Sequence, residues 1–221
     1  MVTTFYNYFF HQTVTELSSL KSYVHMTEIN DQDLILKIIE GDIQLYSDLV
    51  NRYKDLVYTL VIQMLKNNEE AEEVAQDSFL KAFKNLSKFK GDSKFSTWLY
   101  KITYNTCLDR LKKIKQNIST TELSNKAIFK LNDVDSVIEK MELQERNAVI
   151  SNCLQMLPGE DSFLITLFYY EDLSLEEISK ILSISISNAK VKLFRCRKKL
   201  ADILREKLEP EIIERYERTR R

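Results

Sequence analysis

Residues 174–200 read SLEEISKILSISISNAKVKLFRCRKKL and encode two short amphipathic helices with a polar break between them. Ser174 can cap the first helix, and Glu177, three residues later, completes a capping box. After the break, either Ser185 or Ser187 can cap the second helix. Two capped helices with so short a break are typical of a helix–turn–helix, whose second helix can enter the major groove of DNA.

The second of these helices is strongly basic. Its apolar side chains share one face, and the basic side chains lie off that face, where they suit DNA phosphates. The alternative is an ordinary surface helix with a solvated basic face. Ser183 stands in the break where such motifs often carry glycine. The basic residues are Lys190, Lys192, Arg195, Arg197, Lys198 and Lys199.

Composition excludes several classes of function. The 221-residue chain has a formal net charge of -1, so its basic residues matter as local clusters and not as a global excess. Both histidines, His11 and His25, precede the first strong helical pattern, which leaves none for acid–base or metal chemistry in the helical domains. The three glycines are too far apart for a phosphate-binding loop. The three cysteines are widely spaced and predict buried thiols in a reducing cytosol, with no disulfide framework and no zinc site. No stretch is long and apolar enough to span a membrane.

Helical periodicity and turn signals predict an all-α protein of two small domains joined by a flexible linker. The first domain holds predicted helices that start at Asp31 or Asp33, at Asp42, near Glu69 and near Phe95. In the second domain, Pro158-Gly159 separates two helices that precede the helix–turn–helix. The boundaries are 1–26 for an N-terminal extension expected to be disordered, 27–115, 116–135 for the linker, 136–208, and 209–221 for a charged tail.

The N-terminal 25 residues stand apart from this pattern because Phe5, Tyr6, Tyr8, Phe9 and Phe10 are followed by a polar run. The segment lacks the basic start and the small-residue cleavage site of a signal peptide. It is interpreted as an upstream extension, as the result of a start codon assigned too early, or as an aromatic docking tail.

Two further stretches carry a resemblance to a known family. Residues 72–83, EEVAQDSFLKAF, and 89–102, FKGDSKFSTWLYKI, together with Asn105 and residues 108–111, LDRL, resemble region 2 of the sigma-70 superfamily. Residues 154–200 resemble region 4 of that superfamily. Two such domains in this order are similar to the extracytoplasmic-function sigma factors, and the resemblance spans residues 31–208.

The resemblance implies that the loop at residues 89–94 captures a flipped base of the minus-10 promoter element and that Asn105 contacts a neighbouring base. A protein that opens DNA without a motor must offset the unstacking of bases by trapping them, and aromatic and basic side chains serve that purpose. Trp98 has a competing interpretation as a core residue, and Lys112 and Lys113 as a solvated helix end. The implied minus-10 set is Phe89, Lys90, Gly91, Asp92, Ser93, Lys94, Phe95, Trp98, Tyr100, Lys101, Asn105, Arg110, Lys112 and Lys113.

The resemblance also implies two other surfaces. An acidic helix face with Glu73, Gln76, Asp77 and Leu80 would dock on the coiled coil of the polymerase's largest subunit, although its acids also suit simple helix capping. The basic helix would read the minus-35 element, where Asn can bond adenine and Val can touch a thymine methyl. The minus-35 set is Ser187, Asn188, Lys190, Val191, Lys192, Arg195, Arg197, Lys198 and Lys199.

We therefore expect a cytoplasmic, non-enzymatic sigma factor that binds core RNA polymerase and promoter DNA, is held by an anti-sigma factor, and needs no cofactor, metal or membrane insertion. The main alternative is a stand-alone helix–turn–helix regulator, which would have no use for residues 69–111. A helical nuclease would need acids that converge on a metal, and residues 69–77 lie in the opening turns of one helix.

Overall fold

The computed structural model describes residues 30–117 and 143–207, and every regular element in these ranges is helical. The predictions for 1–26, for most of the linker and for the 209–221 tail lie outside the described residues. The N-terminal domain holds α1 (Asp31–Glu40), α2 (Tyr46–Leu65), α3 (Asn68–Lys84) and α4 (Phe95–Asn117). The C-terminal domain holds α5 (Leu143–Met156), α6 (Gly159–Tyr169), α7 (Leu175–Leu182) and α8 (Ile186–Lys207). Short 3₁₀ turns at Ile43–Leu45 and Leu86–Lys88 complete the N-terminal domain.

Local capping chemistry sets the helix starts. The Asn30 side chain accepts a hydrogen bond from the Asp33 backbone N–H, and Asn67 does the same for Glu70 at the start of α3. The prediction that Asp31 or Asp33 caps α1 is therefore wrong, because Asn30 is the cap and the helix begins at Asp31. Asp42 makes no side-chain capping bond, and a 3₁₀ turn separates it from α2. Gly41, at φ 121°, ends α1 as predicted.

The helix–turn–helix is confirmed in the C-terminal domain. The Ser174–Glu177 capping box forms at the start of α7, and Ser185 Oγ accepts a hydrogen bond from the Asn188 N–H at the start of α8. Ser183 ends α7 in the left-handed region, at φ 55° and ψ 43°, a conformation that glycine adopts more readily.

The two domains pack against each other around a continuous hydrophobic core. Helix α6 lies on α2, and α7 lies on α4. The Tyr104 ring of α4 and the Phe163 ring of α6 are 5.2 Å apart between centroids. The side chains of Cys107, Cys153 and Cys196 are all buried, and burial raises the pKa of the Cys107 and Cys196 thiols to about 12.

Candidate nucleic-acid interface

A cleft of about 330 Å³ opens beside the loop at residues 89–94. Gly91 turns this loop at φ 76°, in the region that favours glycine. Four lysines and a single aspartate line the cleft, so it is suited to a nucleic-acid backbone. The lining residues are Lys88, Phe89, Lys90, Asp92, Ser93, Thr97, Trp98, Lys101 and Lys180.

An aromatic cluster supports the cleft. Phe89, Phe95 and Trp98 lie with their ring centroids 5.4–5.8 Å apart. Phe95 is 2% exposed and also packs on Tyr53, at 5.6 Å between centroids, so it supports the two half-buried rings from beneath. Phe89 and Trp98 are partly accessible and can offer ring faces to a base, while Phe95 serves the core.

The remaining minus-10 candidates divide by exposure. The described side chains of Asn105, Lys112 and Lys113 on α4 are exposed, as are Lys90 and Lys94 in the loop. Tyr100, in contrast, is fully buried, and its hydroxyl donates to Glu171 Oε2 of the C-terminal domain at 3.1 Å. Burial, followed by the charge of Glu171, raises the pKa of Tyr100 far above its usual range.

Arg110 faces the acidic helix α3. Its guanidinium forms ion pairs with Glu70 and Glu73, so two residues assigned to different partners, Arg110 to DNA and Glu73 to polymerase, are bound to each other. Sequence spacing gives no sign of this pair, because the two residues are 37 positions apart. In this arrangement Arg110 holds α4 against α3.

The basic helix α8 presents part of the expected minus-35 set to its surroundings. Ala189, Leu193, Cys196 and Leu200 are buried on its inner face, as the spacing predicts. Six residues of the predicted set have exposed side chains and no described contact with α6: Ser187, Asn188, Lys190, Val191, Arg195 and Lys198.

Three basic residues of α8 instead engage the protein. Lys192 Nζ lies 2.6 Å from Glu160 Oε2, and Lys199 Nζ lies 2.6 Å from Asp161 Oδ2. The Arg197 guanidinium lies over two rings of α6, 5.1 Å from the centroid of Phe168. These contacts hold α8 on both ends of α6, through two acids at its N-terminal end and two rings at its C-terminal end. Lys192 and Arg197 are half-buried as a result, whereas Lys199 stays exposed.

Phe194 is a candidate that the sequence analysis missed. Its side chain is 68% exposed on α8, beside the 46% exposed Val191 and four positions from both Lys190 and Lys198. An exposed aromatic in a basic helix is a suitable partner for a thymine methyl. The sequence did contain one indication of this role: Phe194 is four positions from Lys190, and residues at that spacing lie on the same face of a helix.

The outer face of α3 borders an apolar groove of about 680 Å³ between α2 and α3. Gln76 and Leu80, two of the expected docking residues, line this groove, and Asp77 is exposed next to them. Leu80 is 54% exposed, although it is a large apolar side chain. The other apolar residues of the groove are Ile43, Tyr46, Val50, Phe79 and Phe83.

These features define a two-domain, all-helical DNA-binding protein with a helix–turn–helix in its second domain. The family description "Sigma-70 region 2" matches residues 49–117, and "Sigma-70, region 4" matches residues 147–200. The chain belongs to the extracytoplasmic-function group of the sigma-70 family of RNA polymerase sigma factors. The expected family, the all-α fold class and the function as a sigma factor are thereby confirmed.

Two relatives align with this chain over almost their full length. It is 34% identical over 181 residues to the ECF RNA polymerase sigma factor SigW of Bacillus subtilis, an alignment that covers 78% of this chain and 95% of the relative. It is 30% identical over 191 residues to the RNA polymerase sigma-H factor of Pseudomonas aeruginosa, with 82% of this chain and 99% of the relative covered.

Solved structures share the fold. The structure of CnrH in complex with the cytosolic domain of CnrY matches with a TM-score of 0.54 and 19% identity, over 80% of this chain and 98% of that one. The sigma factor RpoE of Bartonella quintana, solved with the anti-sigma factor NepR, also has a TM-score of 0.54, at 18% identity over 72% and 96% of the two chains. In the part of this chain that the structure describes, no helix has the length and hydropathy needed to cross a bilayer.

Proposed function

We propose that this sigma factor opens promoter DNA by trapping an unpaired minus-10 base in the cleft beside residues 89–94. Phe89 and Trp98 would stack on the base, and Lys90 and Lys101 would neutralise the adjoining phosphates. Asp92 and Ser93 supply hydrogen-bonding groups at the same cleft. Asn105, exposed one helical turn beyond Lys101, would contact a neighbouring base.

Helix α8 would bind the minus-35 element through its exposed face. Asn188, Val191 and Phe194 are placed to read base edges, and Lys190 and Lys198 to bind phosphates. Lys192, Arg197 and Lys199 would act indirectly, because their contacts with α6 fix the orientation of α8.

The outer face of α3 would bind core RNA polymerase. Gln76, Asp77 and Leu80 would form the contact surface, and the apolar groove beside them would receive side chains of the polymerase. Glu73 would take part chiefly by holding Arg110, so that its role in docking is secondary.

The solved relatives support a further partner. Because RpoE was solved with the anti-sigma factor NepR and CnrH with the cytosolic domain of CnrY, we propose that an anti-sigma factor binds this chain as well. We also propose that the protein acts in the cytoplasm, with the polymerase, and carries no catalytic activity of its own.

The observation that carries the proposal is the coincidence of a basic, aromatic-lined cleft in the N-terminal domain with a helix–turn–helix in the C-terminal domain. The test is to combine the chain with core RNA polymerase and measure run-off transcription from a library of promoters. We expect polymerase-bound chain and transcripts that depend on two promoter elements. Transcripts that do not depend on the minus-10 element would contradict base capture at this cleft.

A further inference from the structure

Thr97 combines a position at the cleft with a hydroxyl that has nothing to bond. It lies in the first turn of α4, it lines the cleft beside residues 89–94, and its side chain is 3% exposed. Its hydroxyl oxygen is covered and has no hydrogen-bond partner within residues 30–117 and 143–207. A buried hydroxyl without a partner is unusual in a folded protein and calls for an explanation.

The other described threonines show how this residue type normally behaves in a helix. Each donates its hydroxyl to the backbone carbonyl four residues earlier, at 2.8–3.0 Å: Thr59, Thr103, Thr106 and Thr166. For Thr97 the corresponding residue is Ser93, which lies in the loop before α4. The helix therefore does not supply the carbonyl that satisfies the other four threonines, and the missing partner belongs to this one position at the cleft.

Packing alone gives no reason for a hydroxyl at position 97. A buried hydroxyl that makes no hydrogen bond lowers stability, and valine has nearly the same shape without that group. A ligand that brings a polar group into the cleft would supply the missing partner and remove the cost. The hydroxyl is thus explained by what the cleft binds.

An unpaired base is a ligand of this kind. Stacking on Phe89 and Trp98 holds any base, because every base has a π face, so stacking alone does not select one. The edge of a flipped base carries donors and acceptors that differ among the four bases. Threonine populates two χ1 rotamers in helices, so rotation about χ1 can turn the covered hydroxyl of Thr97 towards a base in the cleft.

We propose that the Thr97 hydroxyl hydrogen-bonds the edge of the captured minus-10 base and thereby helps to determine which base the cleft accepts. The inference rests on the proposed base capture and adds a specificity-determining residue to it. In this division of roles, Phe89 and Trp98 stack on the base, the lysines of the cleft neutralise phosphates, and Thr97 makes a contact that differs from base to base.

Thr97→Val is the sharpest perturbation, because valine keeps the shape of the side chain and removes the hydroxyl. Thr97→Ser retains the hydroxyl. The matched control is Thr103→Val, which removes a buried hydroxyl from the same helix at a position that does not line the cleft. Each full-length variant is first unfolded with urea. Since the hydroxyl of Thr97 has no partner, Thr97→Val should raise the folding equilibrium constant, by up to about 150-fold.

The binding readout is the base preference at each minus-10 position. Each variant is combined with core polymerase and titrated with promoters that carry a pre-opened minus-10 bubble, so that the cost of opening the duplex does not enter. The promoters place each of the four bases in turn at every minus-10 position of the non-template strand. Loss of one hydrogen bond in Thr97→Val should reduce the ratio of Kd between disfavoured and preferred bases at one position by about 2- to 12-fold. Thr97→Ser and Thr103→Val should keep the wild-type ratio.

Three results would overturn the role of Thr97. The first is an unchanged Kd ratio at every position in Thr97→Val, and the second is an equal loss of affinity for all four bases, which a purely structural residue would cause. The third is a lowered folding equilibrium constant or a failure to fold, because either would show that the hydroxyl has a partner within the folded chain. A wild-type complex that binds the bubble no better than the intact duplex would instead reject the proposed base capture itself.

Discussion

Replacement of Leu80 by alanine should weaken core polymerase binding and leave the fold intact. Leu80 is 54% exposed on α3, at the edge of the apolar groove between α2 and α3. Because 54% of the side chain is already in water, its truncation should lower the free energy of unfolding by only about 0.7–1.4 kcal/mol.

The exposed fraction gives the size of the binding effect. Complete burial of a leucine side chain contributes about 1.5–3 kcal/mol, so burial of the exposed 54% on docking contributes about 0.8–1.6 kcal/mol. Loss of that contribution raises Kd by about 4- to 15-fold. This range corresponds to coverage of the whole exposed part of Leu80 by polymerase, and a smaller covered area reduces the free energy in proportion and so lowers the change in Kd.

The assay is a fluorescence titration of labelled chain with core polymerase, paired with urea unfolding of each variant. Leu36→Ala is the matched control, since Leu36 is 58% exposed on α1 and does not line the groove. A Kd for Leu80→Ala equal to that of wild type would remove the groove from the docking surface. Equal weakening by both variants would show a general effect of surface hydrophobicity and also refute the reasoning.

Three other predictions concern stability and the recognition helix. Ser183→Gly should raise the free energy of unfolding by about 0.5–1 kcal/mol, measured by urea titration, because glycine adopts φ 55° more readily. Leu193→Ala should lower the free energy of unfolding by about 2–5 kcal/mol, because Leu193 is buried. Phe194 is exposed, so Phe194→Ala should leave the free energy of unfolding unchanged. That variant should instead weaken binding to a minus-35 duplex in a fluorescence-anisotropy titration. Burial lowers the pKa of Lys66 from 10.5 to about 8, so above about pH 8 the unfolded chain holds a proton that the folded chain has lost, and stability should rise with pH. The thiols of Cys107 and Cys196, whose pKa burial raises from 9.0 to about 12, should reverse this trend above about pH 9. Urea titrations across this range check the sign, and Lys66→Met is expected to flatten the rise between about pH 8 and about pH 9.

Local chemistry explains which features could be predicted from the sequence. The helix–turn–helix follows from contacts between residues three positions apart, such as the Ser174–Glu177 capping box and the Ser185 cap, and these form as expected. The buried face of α8 follows from its periodicity in the same way. Helix starts at Asn30 and Asn67 were harder to predict, because several neighbouring Asp and Asn residues offer similar caps.

Tertiary partners explain the rest. The sequence of a basic helix does not indicate which lysine forms an ion pair with a carboxylate 32 residues away, as Lys192 does with Glu160. Likewise, the aromatic pattern of residues 89–104 does not separate Phe89 and Trp98, which line the cleft, from Phe95, which supports it. The assignment of individual residues to DNA and polymerase stays a prediction.

Permanganate footprinting of unpaired thymines tests the central claim most directly. The chain is bound to core polymerase on a duplex promoter and on the same promoter with a pre-opened minus-10 bubble. The variants are a Gly-Ser replacement of residues 90–94, which retains the packed Phe89, and Asn105→Ala, with Asn68→Ala as an exposed control on α3.

The account predicts that both minus-10 variants bind polymerase and the minus-35 element normally, lose thymine reactivity on the duplex, and partly regain function on the bubble. The reason is that the bubble removes an unstacking cost of a few kcal/mol that the trapped base would otherwise offset. Normal opening of the duplex by the loop variant would contradict base capture at this cleft and leave the N-terminal domain as a docking module alone.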